Sequence, residues 1–406
     1  MQRILIVALM FSFSMISYFD RTIMSIAGPG MIRDFGISPT AMGSIYSAFI
    51  LGYGLLMIPG GLFTDRLGPR RTLTLMGFGS ALFTGLTVLG PGLGALIGIV
   101  PALFAIRFGL GVVTAPLYPA CAQVSAQLTP IALHGRIQGI IIAGSSFGAA
   151  ISPLLFTWIV VKFEWWAPFL IAALATAALA AAWYGSAPDY PVTSETHVAH
   201  LWKGLFRNRN LLLITYAYGA LGYFQYIFFY WMYYYFGQIL HLGADVSARY
   251  TTILFLTEGA MMPLGGMVSD RLTARYGPQF GRRLVPIAGL SLGALLTCIA
   301  TASAGVTAVV CLALAFGLAA FCEGPFWATV TEMAGEQIGG ASSILNTGAQ
   351  VGGFFAPMLT PFIAGAAGWS WGLYAGCLIA LSGAVAVCFV RLRPIGSGVR
   401  TAHAHS

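Results

Sequence analysis

Five ionisable side chains stand inside long apolar stretches of this 406-residue chain: Asp20, Arg21, Arg107, Glu258 and Glu323. An arginine presents a planar fork of donors that fits a carboxylate in two hydrogen bonds. An acid in apolar surroundings can gain and lose a proton, and proton relays are built from such groups. These residue types therefore predict two kinds of chemistry, the binding of an anion and the movement of a proton.

The spacing of the first three charges suggests their roles. Asp20 and Arg21 are adjacent, so on a helix their side chains point about 100° apart. One of them can face a cavity while the other faces a neighbouring helix. We assign Arg21 to the substrate. Asp20 is expected to pair with Arg107, and this pair either switches during function or is a static structural contact.

The composition indicates which elements must hold these residues. Hydrophobic residues make up 58% of the chain and charged residues only 8%, against about 45–50% and about 25% in soluble domains. So few charges cannot cover a surface that faces water, which excludes an ordinary soluble enzyme, a disordered chain and a disulfide scaffold. The expected surroundings are a lipid bilayer, where a charge costs about 2.5–3.5 kcal/mol on insertion scales and is usually functional.

Twelve apolar stretches are long enough to be transmembrane helices, which need about 20 residues each. The segment Gly90-Pro91-Gly92 is expected to supply the turn between the third and the fourth. We place the spans at residues 4–28, 38–63, 72–90, 97–127, 136–160, 167–186, 210–238, 247–269, 284–303, 306–333, 339–364 and 369–391.

The distribution of Lys and Arg predicts the orientation. With the N-terminus inside, fifteen of the 20 basic residues fall in cytoplasmic segments, whereas the outer loops hold Arg33, Lys162 and Arg249. This bias places both termini in the cytoplasm. It also explains the net charge of +8 without a nucleic-acid partner. None of the asparagines stands in a glycosylation motif, which favours a bacterial inner membrane.

The chain divides into two similar halves. A polar stretch at 187–209 is expected to be a cytoplasmic linker between N-terminal (1–186) and C-terminal (210–406) bundles of six helices each. Three patterns recur at offsets of 204 or 205 residues, which indicates duplication: Tyr18-Phe19 with Tyr223-Phe224, Gly61 to Leu67 with Gly266 to Leu272, and Gly148 and Pro153 with Gly352 and Pro357. The predicted fold is an all-α membrane protein of twelve transmembrane helices, in two bundles related by pseudo-two-fold symmetry, as in many secondary transporters.

The loop after the second span combines glycines, one acid and several arginines: Gly61, Asp65, Arg66, Gly68, Arg70 and Arg71. These charges either form a cluster that locks one conformation or simply set the topology. A looser copy with an insertion contains Asp270 and Arg271. The motif resembles the loop 2–3 signature of the major facilitator superfamily, G-x-L-a-D-r-x-G-r-k. The span count and the repeat extend this resemblance over the whole chain.

Three further segments are similar to the anion:cation symporter group of that superfamily. They are Tyr18-Phe19-Asp20-Arg21, Tyr53 ahead of Ile58-Pro59-Gly60-Gly61, and Arg107-Phe108 followed by Ala115-Pro116-Leu117-Tyr118-Pro119. The resemblance implies a proton-coupled carrier of hexonates, uronates or other organic carboxylates.

One position departs from that group. Its symporters commonly carry a coupling glutamate two residues before the first proline of the third segment, where this chain has Thr114, which cannot titrate. The segment Gly324-Pro325-Phe326-Trp327 looks like a repeat of Ala115-Pro116-Leu117-Tyr118 and matches Thr114 with Glu323. We expect Glu323 to carry the proton, and Glu258 is a second candidate. The alternative for Glu323 is a hydrogen-bonded gate residue.

Other polar residues in the spans are candidates for substrate contacts: Tyr53, Ser145, Tyr223, Gln225, Asn346 and Gln350. Each can instead bond a neighbouring helix. No cofactor or metal is expected, because the cysteines and histidines lack the spacing of metal ligands.

These observations predict a transporter rather than an enzyme. We expect a monomer that moves a small organic anion across the bilayer by alternating access, with protons as the coupled ion. The alternatives are an anion exchanger or facilitator without proton coupling, which Thr114 favours, and a non-transporting sensor on the same fold.

Overall fold

A computed structural model describes residues 2–128, 131–189, 205, 207–334 and 338–392, and these residues contain helices and no strand. The helices are α1 (Gln2–Phe35), α2 (Pro39–Leu67), α3 (Pro69–Leu86), α4 (Gly90–Ile97), α5 (Ile99–Thr114), α6 (Leu117–Leu128), α7 (Ile131–Phe163), α8 (Ala167–Ser186), α9 (Arg209–Tyr234, continued by a π-helical turn at Tyr235–Ile239), α10 (Ala244–Tyr276), α11 (Pro278–Thr301), α12 (Gly305–Phe321), α13 (Glu323–Ala334), α14 (Ile338–Ala367) and α15 (Trp369–Cys388).

The helices match the predicted membrane spans closely. Ten helical segments of the described chain are long and apolar enough to cross a membrane. An eleventh candidate is the pair α3 and α4, which is bent by 70°. The remaining predicted span coincides with α14, a helix of 30 residues that includes the two amides Asn346 and Gln350.

The turn predicted at Gly90-Pro91-Gly92 is wrong, because these residues begin the short helix α4. Proline suits the first turn of a helix, where its fixed φ is helical and its missing N–H has no partner to lose. The chain turns instead after Leu86 and again at Gly98, whose φ is +90°.

The fourth and tenth predicted spans are each built from two helices. One break follows Thr114, where α5 ends just before Pro116, and the other precedes Glu323, where α13 begins. A proline inside a helix removes one backbone hydrogen bond and favours such a break. Both residues therefore lie beside a break, but Thr114 ends the helix before its break and Glu323 begins the helix after its break.

The loops α2–α3 and α10–α11 have the same construction. Gly68 and Gly277 have φ values of +79° and +87°, which favour glycine. Their N–H groups bond to the carbonyls of Thr64 and Thr273, each at 2.9 Å. Asp65 lies three residues before its glycine and Asp270 lies seven before Gly277. The insertion in the second copy is therefore four residues, about one helical turn.

The described chain packs as two compact units. The first holds the described residues up to 189 together with Phe229–Phe255 and Pro357–Phe362, and the second holds the remainder. In the first unit α1 packs on α7, α2 on α5 and α3 on α8, while in the second α11 packs on α12 and α15. These units do not coincide with the predicted domains 1–186 and 210–406, which stay a prediction. Most of the predicted linker 187–209 lies outside the described residues.

Close backbone packing in the second unit gives a first testable consequence. A Cβ atom on Gly352 of α14 would overlap the carbonyl oxygen of Gly219 on α9. We expect Gly352→Ala to lower the free energy of unfolding by about 1–3 kcal/mol, because neither backbone can yield without cost. Thermal unfolding of the purified protein measures this. The control is Gly365→Ala on the same helix, where a Cβ meets no atom within 4 Å; equal losses in both variants would contradict the packing.

Candidate functional site

The guanidinium group of Arg21 lies in a cage of three aromatic rings in the first unit. Its Cζ atom is 4.8 Å from the centroid of the Tyr18 ring and 4.7 Å from those of Phe49 and Tyr53. Phe49 and Tyr53 are one turn apart on α2 and stack at 6.0 Å. Arg21 is only 5% exposed. Aromatic faces attract a cation, so the cage holds a positive charge where little water reaches it.

Arg107 reaches from α5 to the same part of α1. It is fully buried, its Nη1 donates to the backbone carbonyl of Asp20 at 2.8 Å, and its Cζ lies 5.5 Å from the centroid of Phe49. Arg107 and Arg21 are the charged neighbours of Asp20. The structure thus places Arg107 beside Asp20, but the hydrogen bond joins it to the backbone carbonyl of Asp20 and not to the carboxylate.

Three polar atoms of this pair have no hydrogen-bond partner within the described chain: Oδ1 of Asp20 and Nε and Nη2 of Arg107. Asp20 is 2% exposed, so its charge is as deeply buried as that of Arg107. Buried polar atoms are normally satisfied. A substrate, a water molecule or a side chain that shifts can therefore supply the hydrogen bonds that these atoms lack.

Tyr118 joins the cage although sequence reasoning did not assign it a role. Its hydroxyl lies 3.1 Å from that of Ser14, and it also interacts with Ser145, Tyr53 and Arg21. The signal was present in the sequence, since Tyr118 belongs to the segment after Arg107 that resembles the symporter group. Ser145 and Tyr53, both predicted substrate contacts, therefore share one polar neighbour.

The hydroxyl of Thr114 bonds within its own helix and contacts the neighbouring helix α3. Its Oγ1 donates to the carbonyl of Leu110 at 2.7 Å and lies 3.3 Å from the hydroxyl of Ser80 on α3. Thr114 is 3% exposed. The symporter group that this chain resembles has a glutamate at this position. Here the threonine instead joins α5 to α3 through its contact with Ser80.

Glu323 lies in a polar cluster of the second unit. Tyr218 donates its hydroxyl to Oε2 of Glu323 at 2.6 Å, and Trp327 donates its indole N–H to the Tyr218 oxygen at 2.9 Å. Gln225 also bonds Glu323, and Glu258 is close enough to interact with it electrostatically. The structure therefore brings together three predicted residues, and adds Tyr218, which stands 105 positions away in the sequence.

The other predicted contacts of the second unit lie on α9 and α14. Tyr223 is 3% exposed, and its backbone packs against Gly352. Asn346 and Gln350 are half-buried and one turn apart on α14. Their side chains thus share one face of that helix.

The charge cluster expected in the α2–α3 loop differs from the prediction. Asp65 accepts a hydrogen bond from the amide of Gln123 on α6. Arg70 pairs with Asp189 at 2.9 Å and donates to the carbonyl of Tyr184 at 2.8 Å, which fastens α3 to the end of α8. Of the remaining members, Arg66 and Arg71 are exposed, and Gly61 packs near Pro119.

A charge cluster is present in the second copy. Arg282 of α11 bonds Asp270 at 2.6 Å and Glu332 of α13 at 2.7 Å. Glu332 stands 209 positions after Gln123, the offset that also joins Thr114 to Glu323. The first half thus has an amide where the second half has an acid, and this acid joins the ion-pair network of the second copy. Arg271 is exposed.

An aromatic layer lies at the end of α2 opposite the α2–α3 loop, within the first unit. Tyr46 of α2 stacks on Tyr230 of α9 with centroids 5.0 Å apart and meets Trp231 edge to face at 5.3 Å. Trp231 donates its indole N–H to the carbonyl of Pro357 on α14 at 3.0 Å. Tyr46, Tyr230 and Trp231 are each fully buried, so α2, α9 and α14 meet tightly at this layer.

Comparison with known proteins identifies the family. The model of the Major Facilitator Superfamily matches residues 10–338 and, in a second match, residues 250–405. The chain belongs to the Major Facilitator Superfamily. The "Probable L-galactonate transporter" of Escherichia coli (strain K12) is 27% identical over 95% of the chain and 89% of that protein. The "Hexuronate transporter" of Bacillus subtilis (strain 168) is 26% identical over 95% of the chain and 94% of that protein.

A solved structure shows the fold of this superfamily member. A bacterial homologue of the human lysosomal transporter Spinster, in an inward-facing conformation, aligns with a TM-score of 0.76 at 15% identity, over 96% of the chain and 95% of that protein. The twelve-helix, two-bundle fold and the sequence resemblance to the organic-anion group of the superfamily are both confirmed. The superfamily member is a membrane transporter and not an enzyme.

Proposed function

We propose that the protein is a secondary active transporter of small organic anions, chiefly carboxylates and sugar acids. The observation that carries this proposal is the caged guanidinium of Arg21, a buried donor fork beside a second buried arginine, Arg107. Such a fork suits a carboxylate in a bidentate geometry. The names of the curated relatives, which include galactonate and hexuronate, support the same substrate class.

We assign the remaining predicted residues to the two units. Tyr53 and Ser145 contact the substrate beside Arg21, while Tyr223, Gln225, Asn346 and Gln350 supply hydrogen bonds to its hydroxyl groups. Asp20 and Arg107 form a pair that changes partners during transport.

We propose proton coupling through Glu323, with Glu258 as the second candidate. Thr114 bonds a backbone carbonyl and cannot titrate, whereas Glu323, its match in the second half, has three polar neighbours. The competing function is an exchanger or facilitator without proton coupling, which the local bonding of Thr114 favours. A non-transporting sensor is the less favoured reading.

A flux assay separates these functions. Purified protein in proteoliposomes is supplied with radiolabelled D-glucuronate or L-galactonate, with and without an inward proton gradient. Accumulation above the external concentration that depends on the gradient supports proton symport. Gradient-independent equilibration or counterflow supports a facilitator or exchanger. Binding of both acids without any flux contradicts transport and favours the sensor.

We further propose alternating access, with both termini cytoplasmic in an inner membrane and a monomer as the working unit. The basic residues of the α2–α3 and α10–α11 loops then face the cytoplasm. The aromatic layer of Tyr46, Tyr230 and Trp231 then closes the outer side. Transport requires this layer to open, because substrate must pass it once in every cycle.

Cross-linking tests the movement of the aromatic layer. In a background whose native cysteines are replaced by serine, Tyr46→Cys with Tyr230→Cys should cross-link with a bifunctional thiol reagent, since the rings are 5.0 Å apart. We expect cross-linking to reduce uptake at least about tenfold because the layer can no longer open. The control is Phe13→Cys with Trp183→Cys, rings 6.0 Å apart on α1 and α8, whose cross-link should leave uptake intact. Full uptake by the cross-linked Tyr46 and Tyr230 pair argues against this gate.

A further inference from the structure

The ring of Phe49 contacts both buried guanidinium groups of the proposed anion site, those of Arg21 and Arg107. Arg21 approaches its ring at 4.7 Å and Arg107 at 5.5 Å. Arg21 comes from α1 and Arg107 from α5, while Phe49 comes from α2. The Phe49 ring of α2 therefore contacts both cations, one from α1 and one from α5.

The backbone that carries Phe49 packs directly on α5. A Cβ on Gly111 of α5 would overlap the carbonyl of Phe49, and a Cβ on Gly52 of α2 would overlap the carbonyl of Phe108. The two helices thus meet at backbone contact next to Phe49. Phe49 is 2% exposed. The ring has little freedom to move away from the arginines.

Two like charges placed close together in a low dielectric repel each other strongly. A ring face attracts each guanidinium through its quadrupole. An aliphatic side chain of similar volume fills the space but offers no such attraction. The ring can therefore set where each planar donor group lies, which an aliphatic residue cannot do.

We propose that Phe49 is a positioning residue of the anion site, which holds the guanidinium groups of Arg21 and Arg107 in the arrangement that a carboxylate substrate needs. This inference rests on the proposed function, because it assigns Phe49 to the same site. The effect of Phe49 is exerted through the two arginines that its ring contacts.

Uptake kinetics test the proposal. For D-glucuronate uptake in proteoliposomes, Phe49→Leu should raise KM about tenfold with a smaller change in Vmax, because both ring–cation contacts are lost. Phe49→Tyr keeps the ring and should stay within about twofold of the wild type. The control is Phe13→Leu, a 2% exposed phenylalanine of α1 that packs on Trp183. A KM for Phe49→Leu equal to the wild-type value, or an equal rise in Phe13→Leu, overturns the proposal.

A second measurement keeps the proposal testable if the proposed function fails. Phenylglyoxal modifies guanidinium groups, and peptide mass spectrometry quantifies the adducts on Arg21 and Arg107. Labelling of Arg21 should rise about threefold in Phe49→Leu, because the ring no longer covers it, and should be unchanged in Phe49→Tyr and Phe13→Leu. If the wild type transports no carboxylate, the proposed function is wrong, and this labelling alone decides the role of Phe49. Unchanged labelling in Phe49→Leu overturns it.

Discussion

Arg21→Gln is expected to abolish uptake of D-glucuronate and L-galactonate while the protein remains folded. Arg21 is the arginine that three aromatic rings surround, so its positive charge lies in an apolar setting, where it attracts a carboxylate strongly. Removing one partner of a buried charge-assisted contact costs about 2–5 kcal/mol, which corresponds to at least roughly 30-fold in affinity. Initial uptake rates at several substrate concentrations, normalised to the amount of reconstituted protein, measure the loss.

Two comparisons make the result specific to Arg21. Arg21→Lys keeps the charge but loses the planar fork, so we expect intermediate uptake, reduced by roughly tenfold. Arg33→Gln, an exposed arginine of the same helix that bonds Asp34, should transport as the wild type does. Thermal unfolding checks that Arg21→Gln is folded. Uptake by a folded Arg21→Gln protein at the wild-type level would remove Arg21 from the substrate site.

The scarcity of charge made the main elements of this site predictable. Asp20, Arg21 and Arg107 stand out in the sequence because few other ionisable residues lie inside spans, and the structure brings the three together. The likeness of two segments predicted that Thr114 and Glu323 occupy corresponding positions. Each stands beside a helix break and two residues before a proline.

Of the three rings around Arg21, the sequence predicted that of Tyr53 as part of the site but not the other two. Tyr18 stands in the motif that contains Arg21 but had no predicted role, and nothing distinguishes Phe49 until helix packing places it beside Arg21, because 13% of the chain is aromatic. The bond from Arg107 to the backbone of Asp20, rather than to its carboxylate, depends on the distance between two helices. Periodicity carries no information about that distance. Tyr218 meets Glu323 across 105 residues for the same reason.

The two loop motifs show that a sequence motif does not determine which residue an acidic side chain binds. The motif around Asp65 recurs more loosely around Asp270, yet Asp65 bonds Gln123 and Asp270 bonds Arg282. The two copies differ in the residue on a neighbouring helix, Gln123 against Glu332, and by an insertion of one helical turn. A motif predicts the turn geometry at Gly68 reliably, since that depends on local backbone conformation, but not the ionic contacts that cross between helices.

Glu323→Gln is expected to abolish accumulation driven by a proton gradient while exchange of substrate across the membrane continues. The glutamine amide oxygen can still accept the hydrogen bond that Tyr218 donates to Oε2 of Glu323 at 2.6 Å. The substitution therefore preserves the local contact and removes only the ability to gain and lose a proton. A carrier whose coupling acid is permanently neutral can still exchange bound substrate, but it can no longer couple that movement to a proton.

Two assays on the same proteoliposomes separate these effects. Uphill uptake of D-glucuronate under an inward proton gradient should fall to the level of equilibration, and counterflow in symmetric pH should remain within about twofold of the wild type. Glu258→Gln is the matched variant, since Glu258 is a half-buried acid close to Glu323 but without the Tyr218 contact. It should retain uphill uptake. If Glu258→Gln loses uphill uptake and Glu323→Gln keeps it, the proton is carried by Glu258. If both variants keep it, neither acid is the coupling group, and an exchanger or facilitator becomes the better account of Thr114.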